Sequence, residues 1–209
     1  MASPLVIYPD RKASVPPMLF GPAEYYAAVA RYGSTAVDTR LRYDKRNKAV
    51  HRYDIADTRG RLTLTVPVSK PSAEHEGPRL WADMQVSAHG RWWEVHAAAL
   101  ESAYGRTPYF EHYFPKFEAL PLAEPEGVMD LCLRADAIVR EILGIAPAEG
   151  SDESDESDKS DWSDLSDRSD FGGVRPYHQV RQAELGFIAG LSVLDLIFNV
   201  GPEAPLFLR

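Results

Sequence analysis

Three of the six histidines, His89, His96 and His112, fall in one stretch together with Trp92, Trp93, Tyr104, Arg106, Tyr109 and Phe110. An imidazole near neutral pH serves as a general base, aromatic rings stack on a planar ligand, and a guanidinium forks onto phosphate or carboxylate. The plain alternative is packing, which accounts for Trp93, Phe110 and Phe114, since large rings dominate burial energetics. It accounts less well for His89, His96, Tyr104 and Arg106, whose polar atoms need partners wherever they are buried. A second candidate set is basic. Residues 40–52 hold Arg40, Arg42, Lys45, Arg46, Lys48 and Arg52 against one acid, Asp44. Such a run is either a solvated face or an anion site, because arginine binds phosphate and carboxylate bidentately.

Other chemistries are struck out by motif. The chain has no G-x-S-x-G elbow, no G-x-x-x-x-G-K, no G-x-G-x-x-G and no H-E-x-x-H. His89 and His96 are seven residues apart, roughly 10.5 Å along a helix axis, too far for one zinc ion. The single cysteine, Cys132, excludes an intrachain disulfide and a multi-cysteine zinc site. Metal-free chemistry remains, with no cofactor.

The elements that must position these residues are read from periodicity. Trp93, Ala97, Leu100 and Tyr104 share one face of a helix over 91–104, ended by Gly105, and Pro108 opens a second helix towards Phe117. Upstream, Leu5–Tyr8 reads as a strand closed by Pro9. Gly21-Pro22 opens a helix with the stripe Ala23, Tyr26, Ala27 and Ala30, capped by Gly33, and Thr35–Asp38 follows as a strand. Strand, helix, strand predicts a βαβ unit. His51, Tyr53 and Ile55 alternate before the turn 57–60, and Leu62, Leu64, Val66 and Val68 alternate after it, a β-hairpin that holds Arg52 on its first strand.

Residues 127–143 form an amphipathic helix with Val128, Leu131, Ala135, Ile138 and Ile142 inward, i,i+4 pairs Asp130/Arg134 and Asp136/Arg140, and Gly144 as C-cap. Cys132 flanks its apolar stripe and reads as a small buried hydrophobe. Near the C-terminus Tyr177–Glu184 is a short polar helix. Ser192–Asp195 is a capping box leading into a helix apolar on most sides and therefore buried. The fold class is α/β, a βαβ start plus a β-hairpin packed with helices in a single domain, with α+β as the alternative.

The formal charge of −8 has one source. Glu149–Asp170 holds ten acids and two bases, which leaves 21 acids and 21 bases elsewhere. With the remainder neutral, nothing supports a nucleic-acid partner. The acidic stretch repeats Ser-Asp with period three from Ser151, a composition that cannot bury a core and predicts disorder. Three parts follow. Residues 1–146 are the main part of the domain, 147–173 an acidic insert, and 174–209 the helices that complete the same domain. No stretch approaches the length of a membrane span, and the N-terminus lacks a basic, apolar leader, so the reading is cytoplasmic. Oligomeric state is left open.

Several blocks together carry a resemblance. They are Tyr43-x-Lys45-Arg46 running to Arg52-Tyr53-x-Ile55, Gly60-x-Leu62-x-Leu64-x-Val66-Pro67-Val68, and Trp93-x-x-His96 followed by Ser102-Ala103-Tyr104-Gly105-x-x-Pro108-Tyr109-Phe110. The last runs from Gly186-Phe187-Ile188 to Asn199-x-Gly201-Pro202-Glu203. In these the chain resembles the WbqC-like family, and only the acidic insert departs from the pattern. The resemblance implies a cytoplasmic bacterial protein of surface-polysaccharide (O-antigen) synthesis. Read with the residues, it implies an enzyme on an activated amino sugar, an acyl or aminoacyl transferase whose small-molecule substrate is a nucleotide-sugar. His96 would be its general base, Tyr104 and Arg106 would orient substrate, Arg46 and Arg52 would hold a diphosphate, and Trp92 and His89 would line the site. The alternative is a non-catalytic binding or assembly protein that uses the aromatic helix as its partner surface.

Overall fold

A computed structural model describes residues 8–70, 77–87, 90–122, 127–149 and 174–208. The Ser-Asp repeat and His89 lie outside the described residues. The chain opens with β1 (Tyr8–Val15), α1 (Ala23–Val29) and β2 (Tyr32–Val37), and the two strands pair in parallel from Lys12↔Ser34 to Val15↔Val37. This is the βαβ unit read from the sequence, with shifted boundaries. Pro9 lies inside β1 instead of closing a strand, because the register slips between Tyr8 and Lys12 and no regular ladder bond is asked of it there. α1 is buried at Ala23 and from Tyr25 to Val29, far wider than the predicted stripe. It stops at Val29, so Ala30 is exposed and Gly33 belongs to β2 rather than to a cap.

The hairpin is β3 (Arg52–Asp57) and β4 (Gly60–Thr65), in register from Arg52↔Thr65 to Asp57↔Gly60. Its tight turn passes through Gly60 at φ 117°, a value that excludes most side chains. Period-two alternation places Tyr53, Ile55 and Leu64 in the core and Arg52, Asp54, Thr63 and Thr65 on the other face. The outer edge of β3 is occupied. The Asp54 carbonyl accepts from Ser192 N–H at 2.8 Å, and Ala56 N–H donates to the Tyr104 hydroxyl at 3.1 Å. An edge bonded in this way offers no template for another strand.

Between the βαβ unit and the next helices, residues 41–43 run antiparallel to 79–81. Tyr43 N–H bonds the Arg79 carbonyl at 2.8 Å, and Trp81 N–H bonds the Leu41 carbonyl at 2.9 Å. A 3-10 turn (Trp81–Asp83) follows, and β5 (Val68–Ser69) pairs with β6 (Gln85–Val86). The described strands therefore form three separate two-stranded sheets. With the helices around them, they give the mixed helix-and-strand fold that the sequence predicts.

The helices are α2 (Trp92–Tyr104), α3 (Phe110–Leu122), α4 (Val128–Leu143), α5 (Gln182–Leu185), α6 (Val193–Val200) and α7 (Ala204–Phe207). α6 is the hub. Val193, Leu194, Leu196, Ile197 and Phe198 are fully buried, and the helix meets α1, α2, α3, β3 and α7. Its N-cap departs from the predicted capping box. Ser192 Oγ accepts from Leu194 N–H at 3.2 Å, but the Asp195 carboxylate turns inward. The reciprocal bond needs Ser192 N–H, and the Asp54 carbonyl already holds it.

α4 ends at Gly144 in the left-handed conformation, φ 64°, as its C-cap signal predicts. Its polar pairs divide. Asp130 and Arg134 bridge at 2.8 Å near the surface, whereas Asp136 and Arg140 are buried and bridge at 2.5 Å. Arg140 also reaches Thr35 Oγ1 at 2.7 Å and the Ala146 carbonyl at 3.0 Å, tying α4 to β2. The inward face of α4 is turned accordingly. Met129, Cys132, Val139 and Leu143 are buried there, and Ile138 and Ile142 are only half-buried. The Cys132 thiol donates to the Val50 carbonyl at 3.0 Å, and burial raises its pKa, so it packs rather than reacts.

Candidate functional site

α2 meets the hairpin through its buried face of His96, Leu100, Ala103 and Tyr104, while Trp93 and Ala97 are half-buried. An inward histidine is tolerated because the hairpin supplies partners for both ring nitrogens. Nε2 lies 3.2 Å from the Thr65 carbonyl and Nδ1 3.1 Å from the Tyr53 hydroxyl. A carbonyl only accepts, so Nε2 carries the proton and Nδ1 accepts from Tyr53 O–H. The Tyr53 ring meets the imidazole edge-on at 5.4 Å, and Trp92 does so at 5.2 Å. Burial lowers the His96 pKa to about 4, partly opposed by the bond to Thr65. A nitrogen with that pKa, whose lone pair already holds a hydroxyl proton, is a weak base near pH 7.

Tyr104, one turn past Leu100, is fully buried, and its hydroxyl accepts from Ala56 N–H. Behind it lies Asp195, also fully buried. Its Oδ2 accepts from Tyr177 O–H at 2.6 Å and from Gln179 Nε2 at 3.0 Å. Burial raises the Asp195 pKa against the bonds from Tyr177, Tyr104 and Gln179, which lower it. Gln179 further bonds the Ile188 carbonyl and N–H at 2.9 and 2.8 Å, so the network anchors the loop before α6.

The other predicted residues are dispersed. Arg106 and Arg46 are exposed, and the Arg46 backbone N–H donates to Asp44 Oδ1 at 2.8 Å. Trp92 is half-buried against His96. Among the described residues, no hydrogen bond or ring contact joins His96 or Tyr104 to Arg46, Arg52 or Arg106. A hollow of about 470 Å³ lies between the turn before β6 and the start of α4, lined by Met84, Gln85, Met129, Asp130 and Leu133 among others. None of the predicted residues lines it.

Arg52 is placed differently from Arg46. It is the first residue of β3 and half-buried, and its Nε is buried with no acceptor among the described residues. Next to it, His51 Nδ1 donates to the Val66 carbonyl at 3.1 Å, and the imidazole lies 5.5 Å from the Trp81 ring. Burial lowers the His51 pKa, and the charges of Arg52 and Lys48 lower it further, against the bond to Val66. Trp81 and Arg79 each hold a buried side-chain N–H without a partner among the described residues, and neither stands out in the sequence. The only signal for them is a lone tryptophan just beyond a polar loop.

No helix among the described residues is long and apolar enough to cross a membrane. The chain matches the model of the WbqC-like protein family over residues 17–167. The matched span takes in the blocks from Tyr43 to Phe110, and the block at 186–203 lies beyond it. No curated protein and no solved structure matches the chain.

Proposed function

Since the chain belongs to the WbqC-like family, we propose that it is an enzyme of bacterial surface-polysaccharide (O-antigen) synthesis acting in the cytoplasm. Its substrate is an activated amino sugar carried on a nucleotide. The reaction is acyl or aminoacyl transfer: the sugar amine forms a bond to an activated carbonyl carbon, the bond from that carbon to the leaving group breaks, and the proton lost by the amine goes to the departing group. The observation that supports this reading is Arg52, held by β3 at the surface of the core with a buried Nε–H lacking an acceptor among the described residues. A substrate phosphate supplies that acceptor, and the charge-assisted fork orients it. His96 and Tyr104 act behind the site in this reading, fixing α2 against the hairpin that carries Arg52.

Calorimetric titration with a panel of nucleotide-sugars tests it. Arg52→Lys keeps the charge and loses the fork, so the affinity of the sugar that binds falls about ten- to hundred-fold, from about 1.5–3 kcal/mol for a charged hydrogen bond. Arg46→Lys, at an exposed position, leaves affinity unchanged. Equal affinity in wild type and Arg52→Lys returns the basic run to a solvated face. Failure of every nucleotide-sugar to bind leaves the partner-surface reading of α2 in its place.

A further inference from the structure

The geometry points to an oxyanion-binding subsite on the face shared by Tyr43, Arg79 and Trp81, a site for a phosphate or carboxylate group. Residues 41–43 and 79–81 meet in an isolated antiparallel bridge, Arg42 opposite Leu80, in which Tyr43 N–H bonds the Arg79 carbonyl and Trp81 N–H bonds the Leu41 carbonyl. Residues two apart on a strand share a face, so Tyr43, Arg79 and Trp81 lie on one side of it and Arg42 and Leu80 on the other. The Tyr43 and Trp81 rings meet at 4.9 Å, confirming the common side. His51 closes on the far flank of Trp81, and the Lys70 ammonium lies 5.8 Å from the centre of the Tyr43 ring. The set is graded from interior to surface. Trp81 is 1% exposed, Tyr43, His51 and Arg79 are half-buried, and Lys70 is exposed.

Two side-chain donors in this set are buried and have no acceptor among the described residues, Nη1 of Arg79 and Nε1 of Trp81. Buried polar groups are nearly always paired in folded proteins, and one left unpaired demands an explanation. Both atoms can only donate; Arg79 and Lys70 bring positive charge, and the one described carboxylate of the turn, Asp83, is engaged by Leu80 N–H at 2.7 Å. A group that only accepts and carries negative charge matches them on both counts. A bridging water meets the donors but must also place its own two hydrogens. The subsite rests on the reading of the neighbouring basic run as an anion site, since Arg52 follows His51 directly. It adds Arg79 and Trp81 as binding residues.

The test uses inorganic phosphate and the full chain labelled with ¹⁵N. Four tryptophans give four indole N–H signals, and Trp81→Phe identifies the one from Trp81. Sodium phosphate moves that signal saturably, sodium chloride at matched ionic strength does not, and Arg79→Gln weakens the phosphate affinity at least tenfold. Arg79→Lys serves where the glutamine variant fails to fold; it keeps the charge, loses the fork and also weakens binding. A Trp81 signal that phosphate and chloride move alike overturns the inference and leaves water as the partner of both donors. The outcome is separable from that of the proposed reaction. Saturable phosphate binding with no nucleotide-sugar bound keeps the subsite and ends the transferase reading. A bound nucleotide-sugar that leaves the Trp81 signal in place does the reverse.

Discussion

His96 should make the protein acid-sensitive in a defined window. In the folded chain burial of the ring lowers its pKa to about 4, against the Nε2–H bond to the Thr65 carbonyl, which raises it. In the unfolded chain it titrates near 6.5. The unfolded state therefore takes up a proton first as pH falls, and folding loses stability from about pH 6.5 down to about pH 4. At one pKa unit per 1.36 kcal/mol, the loss is about 2 kcal/mol by pH 5 and about 3 kcal/mol by pH 4. Other carboxylates titrate in the same range, so the quantity to measure is a difference. His96→Gln keeps an amide donor and a carbonyl acceptor but no titration. Urea unfolding of both proteins at pH 7, 6, 5 and 4, followed by circular dichroism, should show the stability of wild type relative to His96→Gln declining by those amounts. Tyr53→Phe removes the hydroxyl on Nδ1 and should raise the His96 pKa, shrinking the decline. A wild-type-minus-variant difference that stays flat from pH 7 to pH 4 refutes the argument, because the folded state would then protonate His96 as readily as the unfolded one does.

Two further comparisons use pairs of residues that look alike in sequence. Gly144 and Gly201 both have positive φ, 64° and 54°. An added Cβ meets nothing at Gly144 but runs into the Tyr109 ring at Gly201. Gly144→Ala should therefore lose only the backbone term, about 1–2 kcal/mol, and Gly201→Ala about 1–3 kcal/mol more from overpacking, read as midpoints of urea unfolding. Arg134→Ala breaks a half-exposed bridge and should change stability by less than about 1 kcal/mol. Arg140→Ala strands the buried Asp136 carboxylate, whose pKa burial already raises, and should cost about 3–5 kcal/mol. Equal effects within either pair would show that the burial assigned to one member is wrong.

What the sequence makes legible is local. The hairpin follows from alternation of Tyr53 and Ile55 with Asp54 and of Leu62 and Leu64 with Thr63, the end of α4 from Gly144, and the burial of α6 from a helix with almost no polar face. What it hides is pairing across distance. His96 finds Tyr53 across 43 residues, Arg140 finds Thr35 across 105, and Arg61 reaches the Ala189 and Gly190 carbonyls across more than 120. No period marks such partners, so a histidine seated in the core and a histidine lining a cleft read the same in sequence. The structure separates them by accounting for each polar atom. His96 has both nitrogens bonded within the protein and a pKa shifted away from neutrality. Nε of Arg52, Nη1 of Arg79 and Nε1 of Trp81 are buried donors with no acceptor among the described residues. A satisfied group gains nothing from a ligand, whereas an unsatisfied one gains a hydrogen bond it otherwise lacks. The aromatic helix, which is richest in reactive residue types, therefore reads as scaffold at its buried face. The donors that a ligand would complete lie on the basic run and on the antiparallel bridge beside it.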